Sequence, residues 1–225
     1  MKISEKQANI IHKAVCTLLP ERCPYCDTPV APRMLCCNSC RSKLNFCEYR
    51  TYAKGGFPCV STFPYIDLYK DAVTRFKFTK RKQYAYQMAR MMADTIARDY
   101  KDKEIDLITF VPLHRISYAK RGYNQSELLA KELGFMLGIP CKATLVKTKY
   151  TEPQHTKKKP SEREKNIKGA FRAQNPKLIE GKNILIIDDI ITTGWTLGEC
   201  ANELMKHSPQ NIYCATFAIS VVKTT

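Results

Sequence analysis

The sequence predicts an α/β protein: a parallel sheet flanked by helices, preceded by a small metal-binding module. Three observations carry this. Residues 184–207 read as an apolar strand, a polar loop and a helix. Residues 106–137 repeat that layout, and strand–helix alternation of this kind implies a parallel sheet covered on both faces. Finally, two Cys-x-x-Cys knuckles, Cys23/Cys26 and Cys37/Cys40, stand close together ahead of both units.

From the start, residues 4–19 place Ile10, Ile11, Ala14, Val15, Leu18 and Leu19 at helical spacing, and Pro20 ends the segment. The polar side of this amphipathic helix is not strongly basic, which favours packing on the protein over lying on a membrane. Residues 21–50 form the metal module. Each knuckle presents two thiolates on one tight turn, and four thiolates close a tetrahedral Zn²⁺ site with no vacant position, so a folding or docking role is expected. Cys36 is an alternative to Cys37, while Cys47, Cys59 and His12 fit the spacing less well. Thioredoxin-like chemistry needs one knuckle in a βαβ setting, which is absent here. Cys16, Cys141, Cys200 and Cys214 read as small core residues.

Residues 51–225 are expected to form the main domain. Residues 48–64 read as a connector containing Gly55, Gly56 and Pro58, then a short strand at Val60–Phe63. Residues 66–100 read as helical with a break near Lys80; Ala85, Met88, Ala89, Met92 and Ile96 form the core stripe. Residues 106–113 read as a buried strand, 114–124 as a loop with Arg115, Lys120, Arg121 and Gly122, and 125–137 as a helix. A long polar insert covers 147–170, and a strand over 211–221 closes the sheet. Ligands of such sheets sit at the carboxyl ends of strands, so the loops after 113 and 191 are expected to face one cleft.

Ile184 to Ile187 suit a strand buried on both faces, with Asp188 and Asp189 at its end. Thr192, Thr193, Gly194, Trp195 and Thr196 follow, aiming hydroxyls and backbone N–H groups at one spot beside a helix start, which suits phosphate. Two carboxylates beside a phosphate cradle make sense if they hold sugar hydroxyls or a phosphate-bound Mg²⁺.

Composition sets bounds. The 225 residues carry a formal charge of +16, which implies polyanionic company: nucleic acid, a highly phosphorylated small molecule, or both. Eleven cysteines crowd toward the front, their number is odd, and no secretory h-region precedes them, so metal binding is expected over disulfides and the cytoplasm over export. No apolar run approaches the roughly 20 residues that span a bilayer.

The acidic pair with Thr192-Thr-Gly-Trp-Thr196 resembles the 5-phosphoribosyl-1-pyrophosphate (PRPP) loop of type I phosphoribosyltransferases; Trp195 departs from the small residues common there. The double knuckle, Phe76-Lys-Phe78, Val111-Pro112, Arg121-Gly-Tyr-Asn-Gln125, Pro153-Gln154, Arg163 with Asn166, and Ala170-Phe171 occur in the order of ComF-type proteins, the competence-associated phosphoribosyltransferase-like family. The resemblance covers nearly the whole chain from Cys23. It implies a type I phosphoribosyltransferase fold with structural Zn²⁺, and a PRPP site using Mg²⁺. It assigns Asp188, Asp189 and Arg121 to catalysis, and the stretch from Ile191 to Thr196 to the ribose 5-phosphate. Arg121, Gly122, Lys77, Gln154 and Arg163 would serve the pyrophosphate and the mobile hood 147–170. It also implies a link to DNA uptake alongside a ComF-type helicase. Transfer to an unidentified acceptor is the leading reading. A non-catalytic scaffold for single-stranded DNA or the helicase is the rival, drawing on the basic-aromatic run Arg75–Tyr84; a PRPP or nucleotide sensor is a third.

Overall fold

The computed structural model describes residues 20–47, 49–150 and 167–220. The amphipathic segment 4–19, with Cys16 and His12, lies outside these, as do Gln154, Lys157 to Lys159 and Arg163.

In chain order the elements are α1 (Asn38–Arg41), β1 (Tyr49–Ala53), β2 (Phe57–Pro64), α2 (Asp67–Phe78), α3 (Tyr84–Asp99), β3 (Leu107–Phe110), α4 (Arg115–Arg121), α5 (Gln125–Leu137), β4 (Leu145–Lys147), β5 (Phe171–Ala173), β6 (Asn183–Ile191), α6 (Trp195–Met205) and β7 (Asn211–Ile219). The main sheet has the order β1-β2-β7-β6-β3. The β2/β7, β7/β6 and β6/β3 pairs are parallel, and β1/β2 is antiparallel. Helices α3 and α5 pack together on one face, and α6 covers the other. Each face has its own apolar cluster, with Leu185 and Ile187 of β6 in one and Ile184 and Ile186 in the other. This two-sided burial is why Ile184–Ile187 lack the apolar–polar alternation of a half-exposed strand.

Several boundaries differ from the sequence reading, β3 being shorter than the expected 106–113. Residues 49–64 form a hairpin where a connector is expected ahead of the strand at Val60–Phe63, which is present within β2: Gly55 and Gly56 take positive φ and turn the chain between β1 and β2. The 114–124 loop contains helix α4, whose end is closed by Gly122 in the left-handed region. Strand β6 runs past the acidic pair to Ile191, and α6 starts at Trp195 instead of Leu197. The break near Lys80 and the bounds of α5 agree with expectation, Lys80 standing at φ 57° between α2 and α3.

The ends of the long insert are pinned together. β4 and β5 pair antiparallel, and the Thr148 N–H donates to Ala170 O at 2.8 Å.

Candidate functional site

Parallel pairing of β3 with β6 sets the geometry. Phe110 lies opposite Ile187, and the Val111 N–H donates to Ile187 O at 3.0 Å. The residues after β3 therefore emerge beside Asp188 and Asp189. Asn124 ties the two regions together: its Nδ2 donates to Val111 O at 2.9 Å, and its Oδ1 accepts from the Ser126 N–H at 3.1 Å, capping α5. That cap places Ser126 Oγ 2.8 Å from Asp188 Oδ1, which also accepts the Asp189 N–H at 2.9 Å. Asp189, buried, meets the Lys77 ammonium from the end of α2 at 3.0 Å.

The two carboxylates are thus held differently. Burial pushes the Asp188 carboxyl up to about 7 and the Asp189 charge adds to this, against the Ser126 hydroxyl, Lys77 and the Asp189 N–H. A carboxyl poised there exchanges a proton near neutrality and gains from any cation or hydroxyl brought to it. The pair offers hard oxygen donors of the kind that hold Mg²⁺ together with substrate oxygens and water.

Asp188, Ile190, Ile191, Thr192, Gly194, Trp195, Thr196 and Leu197 line a small cleft at the end of β6. Gly194 stands at φ 75° and caps α6. Its missing side chain is also required by a neighbour, since an added Cβ would lie 3.1 Å from Ala53 Cα and from Lys54 N. The Lys54 N–H donates to Gly194 O at 3.2 Å, and the Lys54 ammonium sits 5.3 Å from the centre of the Trp195 ring. The bulky residue of the loop is thus accommodated by packing toward the β1–β2 hairpin. Ile191 is buried, leaving only its backbone for a ligand, and Thr193 has a buried hydroxyl oxygen without a protein partner.

At the end of α4, Arg121 donates to Gln125 Oε1 at 2.6 Å, and its guanidinium lies 5.5 Å from the centre of the exposed Phe78 ring. Phe76 and Tyr84 are buried, so Phe78 is the aromatic of the Arg75–Tyr84 run left open to solvent. Lys77 meets the acidic pair directly, Arg121 stands beside Phe78, the residue that follows Lys77, and Gly122 caps α4 with an exposed backbone.

Sequence reasoning missed Ser126. The signal was present in Asn124-Gln-Ser126, an Asn cap at a helix start, but its target depends on which strand lies alongside. It also missed the β1–β2 hairpin that packs against Gly194 and Trp195, for which Gly55-Gly56 was the available sign.

The second candidate site is the cysteine cluster. The Sγ atoms of Cys23, Cys26, Cys37 and Cys40 all lie within 4.8 Å of one another, and those of Cys26 and Cys37 are 3.5 Å apart. Zinc–sulfur bonds of about 2.3 Å place tetrahedral sulfurs about 3.8 Å from one another, so this donor set can hold a metal such as zinc. Around Cys26, burial pushes the thiol up, but Thr28, Cys37 and Cys40 outweigh it and bring the thiol down to about 6. The Cys40 N–H points at Cys37 Sγ at 3.4 Å. Cys36 stays out of the cluster: it is buried in the core, and its thiol is pushed up to about 11, first by that burial. Cys47 is exposed, Cys59 lies in β2 opposite Cys214, and neither joins the cluster. Cys200 and Cys214 are core residues as expected, whereas Cys141 is half-buried.

Among the described residues no helix is long and apolar enough to cross a membrane.

Against known proteins, residues 81–222 match the family model described as the phosphoribosyl transferase domain. The chain is 29% identical over 194 residues to the DNA utilization protein YhgH of Salmonella typhimurium, covering 84% of this chain and 80% of that protein. It is 29% identical over 191 residues to competence protein F of Haemophilus influenzae, covering 78% and 81%. With competence protein ComFC of Bacillus subtilis the identity is 28% over 186 residues, covering 82% and 71%.

Proposed function

The chain belongs to the phosphoribosyl transferase domain family, and from that premise we propose that it binds PRPP and transfers the phosphoribosyl group to an acceptor. The observation that carries this reading is the acidic pair, with Asp188 held by Ser126 and Asp189 by Lys77, directly before a Thr-Thr-Gly turn and a helix start. A scaffold without ligand has no use for two adjacent carboxylates whose repulsion must be offset by a lysine and a serine.

In this reading the 5-phosphate rests on the backbone and hydroxyls of Thr192 to Thr196. Asp188 and Asp189 accept hydrogen bonds from the ribose 2- and 3-hydroxyls, and their charge favours the positive ribosyl carbon that develops as pyrophosphate departs. Arg121 neutralises the pyrophosphate, with Gly122 leaving its backbone accessible. Mg²⁺, when bound, spreads the pyrophosphate charge and helps seat the ribose oxygens. Lys77 neutralises Asp189 until ligand arrives. Gln154 and Arg163, in the insert pinned by β4 and β5, are assigned to closing over the ligand and excluding water. The four cysteines hold structural Zn²⁺ in a module spanning 21–50, with the catalytic domain over 51–225. A cytoplasmic setting is part of the proposal.

A second reading, a non-catalytic single-stranded DNA-binding or helicase-binding protein, draws on Phe78. That ring is 65% exposed beside Arg121, and Lys80, Arg81 and Lys82 follow it in a chain of net charge +16. Exposed aromatics among cations suit base stacking and backbone tracking, and of the three relatives above the Salmonella protein is named for DNA utilization and the other two for competence.

Pyrophosphate release from PRPP separates the two. Release stimulated by ammonia, a nucleobase or single-stranded DNA, and lost in Asp188→Asn/Asp189→Asn, supports transfer. PRPP-independent, salt-sensitive DNA binding without release supports the second reading.

A further inference from the structure

One corner of the fold joins the two candidate sites. Helix α2 ends in Arg75-Phe-Lys77-Phe, and residues two apart on a helix point to nearly opposite sides. Arg75 Nη1 donates to the carbonyl oxygen of Tyr25, which lies inside the first knuckle between Cys23 and Cys26. Lys77, on the other side of the helix, reaches Asp189 at 3.0 Å. Between them Phe76 is buried, and its carbonyl accepts the Tyr123 hydroxyl.

The start of α3 is fastened to the same knuckle. Asp27, directly after Cys26 and at φ 62°, accepts from Arg81 at 3.2 Å and from the Tyr84 hydroxyl. Deeper in α3, the Tyr25 hydroxyl donates to Met91 Sδ at 3.0 Å, and Gln87 Nε2 donates to Met34 O at 2.9 Å. The α2–α3 corner that delivers Lys77 to Asp189 therefore leans on residues within, beside and between the cysteine knuckles. Tyr25 and Asp27 lie in one tight turn, in which the Asp27 N–H donates to Cys23 O at 2.8 Å, and a metal held by Cys23 and Cys26 would fix that turn.

We propose that the four-cysteine cluster is a positioning device for the phosphoribosyl site: metal in the cluster fixes Tyr25 and Asp27, these fix the α2–α3 corner, and the corner sets Lys77 against Asp189. The proposal rests on the PRPP and metal readings given above. Arg75 and Asp27 are positioning residues, acting through Lys77 without touching substrate. Coupling of this kind is reciprocal: if metal strengthens PRPP binding by some factor, PRPP strengthens metal binding by the same factor.

The test uses the full chain. Mg²⁺–PRPP binding to the zinc-loaded protein is measured first. Zinc affinity is then measured by competition with a chromophoric chelator, with and without saturating Mg²⁺–PRPP. The wild type should hold zinc about tenfold more tightly in the presence of PRPP, within the usual range of such couplings. The Asp188→Asn/Asp189→Asn variant should show no such gain, which also excludes zinc capture by free PRPP. Arg75→Met should bind zinc and PRPP separately while the gain falls to near one, and Asp27→Asn gives the same readout should Arg75→Met fold poorly. A purely structural Arg75 would lower the melting temperature and leave the gain intact. Wild-type protein that binds PRPP with unchanged zinc affinity overturns the coupling. Wild-type protein that binds no PRPP at the first step overturns the phosphoribosyl reading, and the coupling with it.

Discussion

The Lys77 ammonium lies 3.0 Å from Asp189 Oδ2, so the free protein carries its own counter-ion for the acidic pair. Lys77 is 23% exposed at its side chain and Asp189 9%. Removing one partner of a pair this shielded leaves a charge uncompensated. Lys77→Met should cost on the order of 2 kcal/mol in urea unfolding at pH 8, somewhat less than for a fully buried pair. An unchanged unfolding midpoint would contradict this.

Asp188 gives the pH dependence. Its folded-state carboxyl sits at about 7 against an ordinary value of 3.8, chiefly through burial and then through the charge of Asp189. The folded protein therefore keeps this proton longer than the unfolded chain, and the group costs stability as pH rises from about 4 to about 7. Relative to wild type, Asp188→Asn should become progressively more stable across that window and level off above it. Ser126→Ala removes a hydrogen bond to the ionised form and should push the carboxyl higher, read by carbon-13 NMR of labelled Asp.

The cysteine cluster separates neighbours that the sequence left open. Cys37→Ser should lose bound zinc, whereas Cys36→Ser should keep it and lose only packing, because Cys36 is buried outside the four-sulfur group. Zinc content measured after gel filtration decides between them. Chelation or Cys23→Ser should lower the melting temperature, since Cys23 lies in the same apolar cluster as Tyr25 and Phe76.

Arg121 should discriminate between ligands. Arg121→Ala is expected to weaken PRPP about tenfold, as loss of one charged hydrogen-bonding partner does, with little effect on ribose 5-phosphate. Equal losses would place Arg121 away from the pyrophosphate.

Gly198 tests the contact between the hairpin and α6. Exchanging a helical glycine for alanine ordinarily stabilises by about 1 kcal/mol. Here the new Cβ would lie 2.2 Å from Lys54 O. Gly198→Ala should therefore destabilise, by about 1–3 kcal/mol, and weaken ribose 5-phosphate by displacing the hairpin from Gly194. A stabilised variant would show that the hairpin does not hold the loop.

Much of this was legible because the residues concerned are local. Ile184–Ile187 announce a strand buried on both faces, the Thr-Thr-Gly turn follows within the same stretch, and the knuckles carry their own spacing. The rest depends on long-range placement. Lys77 reads as a residue of a basic helix until α2 is set against β6. Ser126 reads as a polar first-turn residue until Asn124 caps α5 beside Asp188. β1 is short, and its alternating Tyr-Arg-Thr-Tyr-Ala has no large apolar face of its own, so it forms a strand by pairing with β2 and closing on α6.

Binding of PRPP is the central claim. Calorimetric titration with and without Mg²⁺, comparing wild type with Asp188→Asn/Asp189→Asn, tests it most directly. The account predicts Mg²⁺-aided binding to the wild type that is lost in the variant. No binding to either protein, with both chains folded, would contradict it and leave the exposed Phe78 and its basic neighbours as the functional surface.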